Sequence, residues 1–283
     1  MASAPASAGD PAVTATGAGA DLVGVVLAAG AGERLRPLTS LLPKALCPVN
    51  NVPLLDLALD RIAPRVTGCA VNVHHGRAAL GPHLAARPDP VQISVEEPEA
   101  LGTAGAIGAL RDWIAGRGVL VHNADAYLSA GSEVLDDLLA GWDGSACRLL
   151  VQRAPGAGDF GDFGDLRFVG VSLLPWALAR ELAAEPSGLY EVLWRAEHAA
   201  GRLEFVETTA TAIDCGTPAR YLRANLVASG GRSVVGPGAT VDGELVRSVV
   251  WPGAQVRRGE RLVECIRAGR DVTVAAALEA GWR

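Results

Sequence analysis

From Leu22 onward, apolar runs of strand length alternate with stretches whose apolar residues recur at helical spacing. That alternation restricts the fold more than any other feature of the chain. Leu22–Ala28 is an apolar run that ends in glycines, as a buried strand feeding a loop does. Leu54–Ile62 carries helical spacing. Cys69–Val73 and Val91–Val95 read as strands with a helix near Arg77–Ala86 between them. A helix over Ala104–Ala115, a strand at Val119–His122, a helix at Glu133–Leu139 and a strand at Arg148–Gln152 follow. Such alternation builds a mainly parallel sheet covered on both faces. Ligands of such sheets bind at the carboxyl ends of the strands, so a site is expected on the loops after Ala28, Val95 and His122.

Residues 154–167 interrupt the rhythm with a glycine- and aspartate-rich loop. A strand at Phe168–Leu174, helices at Pro175–Ala184 and Tyr190–Ala200, strands at Leu203–Val206 and Thr209–Ile213, and a proline-opened helix at Pro218–Ala228 complete this region. After Gly230 the pattern changes. Val235 and Val241 lie six residues apart, and Val250, Val256 and Leu262 repeat the step with Pro252-Gly253-Ala254 inside it. This spacing predicts hexapeptide β-helix coils, which bury their apolar faces only by stacking. About two turns fit, so the coils must lean on the main domain or on a second copy of the chain.

The bulk composition excludes several classes. A net charge of −6 without a basic run argues against nucleic acid or an anionic membrane surface as partner. Five dispersed cysteines without a C-x-x-C pair read as reduced, buried thiols, and the expected location is cytoplasmic. No apolar stretch reaches the length of a membrane span. Residues 1–20, rich in Ala, Ser, Gly, Thr and Pro, read as a disordered tail rather than a signal peptide.

The chemistry concentrates in Leu27-Ala28-Ala29-Gly30-Ala31-Gly32-Glu33-Arg34 and in Pro43-Lys44-Ala45-Leu46-Cys47-Pro48. Lys44 is the only lysine of the chain, against 24 arginines. Lysine is a compact point charge where arginine is a wide planar fork, so a place that keeps lysine suggests a phosphate held in a tight space. Gly30 and Gly32 lack a Cβ and let backbone N–H groups close on such a phosphate, and Arg34 adds charge-assisted donors. Leu35 stands where a dinucleotide fingerprint needs its third glycine, and Lys44 lies too far on for a Walker loop. The loop therefore points to a nucleoside triphosphate site of a third kind.

These two segments resemble the signature of the sugar-1-phosphate nucleotidylyltransferases, in look closest to mannose- or heptose-1-phosphate guanylyltransferases. Further matches come in order: Leu101-Gly102-Thr103-Ala104-Gly105, Asn123-Ala124-Asp125, and Asp214-Cys215-Gly216-Thr217-Pro218 with Tyr221 and Asn225. The resemblance covers roughly residues 22–270. It implies a Rossmann-like, mainly parallel α/β sheet with a short C-terminal left-handed β-helix. The implied divisions are a tail at 1–20, a nucleotidyltransferase domain at 21–230, coils at 231–275 and a tail at 276–283. The implied reaction is NTP plus sugar 1-phosphate giving NDP-sugar plus pyrophosphate, with Mg²⁺ as cofactor and a route to a homo-oligomer through the coils.

The resemblance also assigns residues. Arg34 and Lys44 would be catalytic. Leu27, Ala28, Ala29, Gly30, Gly32, Glu97, Gly102 and Thr103 would bind the nucleotide. Asn123, Gly170 and Glu191 would face the sugar, and Asp125 and Asp214 would hold the metal. Two carboxylates close together repel by about 1–4 kcal/mol at realistic dielectrics; a cation between them removes that cost, and hard oxygen ligands suit Mg²⁺. Glu96 and Glu97 could accept from the guanine edge, which with the look of the Leu101–Gly105 loop gives a lean to GTP. His74-His75 reads as a strand-end pair rather than metal ligands.

Two departures from the family pattern stand out. Members commonly grip the sugar phosphate with a second lysine, which this chain lacks; Arg153 or Arg167 could substitute. Ala212 replaces the tryptophan usual two residues before the second metal aspartate. A second reading is therefore a non-catalytic relative that binds nucleotide or nucleotide-sugar and regulates a partner enzyme. A hexapeptide acyltransferase is disfavoured, because the coil segment is short and no histidine follows His198.

Overall fold

A computed structural model of the chain describes residues 21–154 and 163–276. The expected tail at 1–20, all but Ala276 of the expected tail at 276–283, and most of the expected glycine/aspartate loop lie outside the described residues.

The alternation in the sequence becomes a seven-stranded sheet. Its strands are β1 (Leu22–Leu27), β2 (Cys69–Val73), β3 (Val91–Val95), β4 (Gly118–Asn123), β6 (Cys147–Arg153), β7 (Leu166–Leu174) and β8 (Leu203–Glu207), while β5 (Ala126–Leu128) pairs elsewhere. The spatial order is β8–β6–β7–β4–β1–β2–β3, and only β7 runs against its neighbours. Successive side chains of a strand point to opposite faces. Val26, Val71, Leu120 and Val171 accordingly pack under helix α1 (Leu54–Ile62) and helix α2 (Arg77–Ala85). Val23, Val25, Val119 and Val121 pack under helix α3 (Gly102–Ala109) and the segment around Leu189–Trp194.

Three helices differ from the sequence expectations, and for the second of them the packing shows why. The expected helix over Ala104–Ala115 is broken at Leu110, the helix over Pro175–Ala184 shrinks to Trp176–Ala179, and the one over Tyr190–Ala200 opens as a π-helical turn, Tyr190–Trp194, before Arg195–Ala199. Gly102, Gly105 and Gly108 form one bare face of α3, and the backbone of residues 182–187 lies directly on it. A Cβ on these glycines would sit 2.5 Å from the Ser187 carbonyl oxygen, 2.2 Å from that of Glu185 and 2.4 Å from that of Ala183. Segment 182–187 bonds to the α3 region through Ser187 N–H to Leu101 O and Ala104 N–H to Ser187 O. Those partners replace intrahelical ones, so the segment is not helical. The expected strand Thr209–Ile213 is the shorter β9 (Ala212–Asp214).

Beyond Gly230 the chain forms only short strands. Val234–Val235, Val249–Val250 and Cys265–Ala268 pair in parallel, as do Thr240–Val241 with Gln255–Val256 and Glu244–Val246 with Arg261–Val263. Partners such as Val234 and Val249, or Leu245 and Leu262, are separated by 15–17 residues. Val272–Ala275 closes the stack as an antiparallel partner of Cys265–Ala268.

This segment is fastened to the main body through helix α4 (Pro218–Ala228). Trp251 Nε1 donates to Tyr221 Oη at 2.9 Å, and Tyr221 Oη donates in turn to the Pro48 carbonyl. Asn225 Oδ1 accepts from Asn50 N–H at 2.9 Å, and Asn51 Nδ2 reaches the Val235 carbonyl at 3.0 Å. Asn50 and Asn51 both have positive φ, the two-residue hairpin geometry that asparagine tolerates. The stretch that follows Lys44 is thus pinned from outside the sheet. Tyr221→Phe removes the link at Pro48 and leaves the Trp251 indole N–H buried without its acceptor. We expect a loss of about 1–3 kcal/mol, read as a lower urea midpoint with unchanged slope.

Candidate active site

The strand ends collect the expected residues. β1 runs into Leu27-Ala28-Ala29-Gly30, and these residues line a cavity of about 240 Å³ with Lys44, Ala45, Asn72, Gly102, Thr103, Asn123 and Asp125. Gly32 adopts φ +65°, and a Cβ there would lie 3.0 Å from Lys44 Cβ and 2.9 Å from Thr39 Cγ2. The glycine loop is therefore folded directly against the lysine. Lys44 opens a 3₁₀ turn, Lys44–Leu46, which aims its ammonium inward; its side chain is 12% exposed.

Asp125 and Asp214, 89 positions apart, are brought together by β5 and β9. These short strands pair antiparallel with Asp214 opposite Ala126, and Cys215 N–H donates to Asp125 O at 2.9 Å. Lys44 Nζ forms a charged hydrogen bond to Asp125 Oδ2 and lies 3.7 Å from Asp214 Oδ1. One ammonium therefore serves both carboxylates. Arg220 Nη1 approaches Asp214 Oδ2 at 3.3 Å and Arg34 Nη2 at 3.7 Å. A second cavity, of about 420 Å³, opens on this side, lined among others by Arg34, Asn123, Asp125, Arg167, Gly170, Asp214, Arg220 and Arg223. A third, of about 240 Å³, is lined by Thr103, Val121, Asn123, Phe168, Ser172, Leu189, Tyr190, Glu191 and Trp194. Asn123 borders all three.

Two thiols stand beside the charged cluster. Burial pushes Cys47 up to about 12, and burial, aided by the Asp125 and Asp214 charges, holds Cys215 well above the ordinary thiol value. Both stay protonated near neutrality, so neither provides a thiolate nucleophile. His122 is fully buried against Arg61 Nη1; burial, reinforced by that guanidinium, pushes its imidazole down to about 3. It is therefore a neutral strut beneath the Asn123–Asp125 turn.

Glu97 is not brought to the other expected residues. Its carboxylate pairs with Arg77 at the surface and is not among the residues lining the first cavity. Glu96 is 1% exposed and already engaged: Oε1 accepts from Asn72 Nδ2 at 2.7 Å and Oε2 from Leu101 N–H at 2.8 Å. Gly32, though close to Lys44, shapes the loop rather than the cavity wall. His74 and His75 bond the carbonyls of Glu96 and Ala29, as strand-end braces do. The sequence reading missed Asn72, whose Oδ1 accepts from Ala28 N–H at 2.7 Å. A lone amide inside the apolar strand Cys69–Val73 was the available signal. It also missed Arg220 and Arg223, which carry no motif.

A model of the nucleotidyl transferase family matches residues 23–139. N-acetylmuramate alpha-1-phosphate uridylyltransferase of Caulobacter vibrioides is 34% identical over 171 residues, covering 57% of this chain and 70% of that protein. The chain belongs to the nucleotidyl transferase family. Low-salt glycan biosynthesis nucleotidyltransferase Agl11 of Haloferax volcanii is 33% identical over 112 residues, 38% of this chain and 31% of that one. Among solved structures, the UDP-glucose pyrophosphorylase of Acinetobacter baumanii shares the fold with a TM-score of 0.58 at 16% identity, over 72% of this chain and 91% of that one. Among the described residues no helix is long and apolar enough to cross a membrane.

The paired carboxylates fit a divalent cation. They offer hard oxygen donors to one point, and Mg²⁺ is commonly held by one or two carboxylates together with substrate phosphates. Among the described residues no group of three or more His, Cys, Asp or Glu could hold a metal alone, so phosphate and water oxygens would complete the shell. In Lys44→Met the two carboxylates face each other without a shared ammonium. We expect the Tm of that variant to rise more on adding Mg²⁺ than the Tm of the parent protein does, measured by thermal melts with and without the ion. Equal rises would count against a common location for ammonium and metal.

Proposed function

We propose that the chain transfers a nucleotidyl group from a nucleoside triphosphate to a sugar 1-phosphate. A sugar phosphate oxygen attacks the α-phosphorus, the bond from that phosphorus to the bridging oxygen breaks, and pyrophosphate leaves. The observation that carries the reading is the convergence of Lys44, Asp125 and Asp214 at the junction of a glycine-lined cavity and an arginine-lined one. The Leu27–Gly30 backbone and Lys44 hold the triphosphate, with Gly102 and Thr103 beside the nucleoside. Arg34 steadies the leaving pyrophosphate, and Asn123, Gly170 and Glu191 face the sugar. Asp125 and Asp214 would hold Mg²⁺, which supplies charge neutralisation at the transferred phosphoryl group. Catalysis on these residues is positioning and electrostatic stabilisation, without a covalent intermediate.

The lean to GTP, and with it to mannose or heptose 1-phosphate, loses its physical support in the engagement of Glu96 and Glu97. We place UTP first, on the relative's uridylyl activity and on a cavity whose only carboxylate is Asp125. The C-terminal strands are read as hexapeptide-type left-handed coils, on their three small parallel sheets and the buried Val250, Val256 and Leu262. A homo-oligomer through them and a cytoplasmic location remain part of this proposal.

Purified protein with Mg²⁺ is to be screened with UTP, GTP, CTP, ATP and dTTP against a panel of sugar 1-phosphates, reading pyrophosphate release. Turnover abolished by Asp125→Ala, and lowered more than tenfold by Lys44→Arg, about 1.4 kcal/mol of transition-state stabilisation, supports the reading. Tight nucleotide binding with no turnover across the panel would instead favour a regulatory, non-catalytic relative.

The missing second lysine has a replacement in this reading. Arg153 pairs with Glu207 at 2.6 Å on the exposed flank. Arg167 lines the same cavity as Asp125, Asp214, Arg220 and Arg223. Arg167 is therefore assigned to the sugar phosphate. Its replacement by Ala removes a charge-assisted contact of about 1.5–3 kcal/mol and is expected to raise KM for the sugar phosphate about ten- to hundredfold. KM for the NTP should change little; steady-state kinetics with each substrate varied in turn decides.

A further inference from the structure

Two buried polar side chains join the walls of the first cavity. Asn72 is 2% exposed and Glu96 1%. Ala28 N–H donates to Asn72 Oδ1 at 2.7 Å, Asn72 Nδ2 donates to Glu96 Oε1 at 2.7 Å, and Leu101 N–H donates to Glu96 Oε2 at 2.8 Å. This chain of bonds starts on the glycine loop and ends one residue before Gly102; Ala28, Asn72, Gly102 and Thr103 all line the cavity. Asn72 lies on β2 opposite Leu27 on β1 and Ser94 on β3, near the carboxyl ends of three neighbouring strands. Glu96 is fixed through its backbone as well. Its N–H donates to Val73 O at 2.9 Å, and its carbonyl lies 2.9 Å from His74 Nδ1.

Hydrogen-bond polarity dictates the two residue types. Both ends of the chain are backbone N–H groups, which only donate. Between them one side chain must accept and donate, and the other must accept twice. One amide and one carboxylate meet that need. Two amides would set a donor against a donor, and two carboxylates an acceptor against an acceptor. A buried group that loses its partner keeps its desolvation cost, so a mismatch pushes the loops apart. The Glu96 carboxylate also lies at the N-terminal end of α3, where negative charge is favoured.

We propose that Asn72 and Glu96 are positioning residues for the nucleotide, acting through the backbone of Ala28 and Leu101 to fix the distance between the glycine loop and the Leu101–Thr103 loop. The inference rests on the proposed nucleotide site and adds what sets its width. There the triphosphate lies on the Leu27–Gly30 backbone and the nucleoside beside Gly102 and Thr103. A bound nucleotide spans the gap between the two loops, so a shift of either one costs affinity.

A polarity swap tests this. Glu96→Gln turns one acceptor into a donor and breaks one bond. Asn72→Asp sets two carboxylates face to face. Asn72→Asp together with Glu96→Gln reverses the central bond and leaves every donor with an acceptor. Kd for UTP and for GTP is measured by isothermal titration with Mg²⁺ and no sugar phosphate, and the tighter nucleotide is followed. Each single substitution is expected to raise Kd about tenfold or more, and the double substitution to bring it back to within about threefold of the parent protein. A merely structural role would lower Tm and the competent fraction and leave the Kd of the folded protein unchanged. Should a single variant precipitate, Glu96→Asp and Asn72→Ser, whose shorter side chains do not reach both partners, take its place with the same expectation. Unchanged Kd in the single variants, or a folded double variant that binds no better than they do, overturns the inference and leaves the transferase reading intact. Binding is read without turnover, so a parent protein that binds nucleotide yet transfers it to no sugar phosphate overturns that reading alone, and the pattern of Kd values still decides the inference. A parent protein that binds neither nucleotide overturns both.

Discussion

A single ammonium shared by two carboxylates holds the site together. Lys44, Asp125 and Asp214 come from a loop, a strand end and a three-residue strand far apart in sequence. Without a cation the two carboxylates would repel, and with one they define a point to which phosphate oxygens can be brought. The surrounding architecture serves this point. The glycine loop is folded against Lys44 at Gly32, the 3₁₀ turn aims the ammonium inward, and the β5–β9 pair fixes the distance between the acids.

The scaffold reaches that point from two directions. From the sheet, β1 and β4 deliver the glycine loop and Asn123–Asp125, while neutral His122 and buried Arg61 brace the turn between β4 and β5. From outside the sheet, Trp251, Tyr221 and Asn225 tie the hairpin after Lys44 to α4 and to the C-terminal strands. The lysine therefore sits between the carboxyl ends of central strands and a buried hydrogen-bonded clamp. This arrangement suits a reaction that depends on positioning more than on any reactive side chain.

Much of the fold was legible because its signals are local. Leu54–Ile62, Cys69–Val73, Val91–Val95 and Pro218–Ala228 appear with the bounds that periodicity and capping predicted. The failures lie where tertiary contact overrides local preference. The expected helix over Pro175–Ala184 stops at Ala179, and residues 182–187 lie on the bare glycine face of α3, held by the Ser187–Leu101 and Ala104–Ser187 backbone bonds. The π-helical start at Tyr190 and the brevity of β9 have no local signature either.

The sequence by itself determined the alternating α/β architecture and the glycine loop with its lone lysine, because each rests on short-range spacing or on residue chemistry; Asp125 and Asp214 were singled out only through the family resemblance. Only the tertiary structure decided which charges meet. It moved Glu97 to the surface with Arg77 and committed Glu96 to Asn72 and Leu101. It separated Arg167, in the cavity, from Arg153, on the flank. Carboxylates and guanidinium groups look alike in a sequence. Their roles follow from burial and from the partners that the folded chain places within a few ångströms, and that information is non-local.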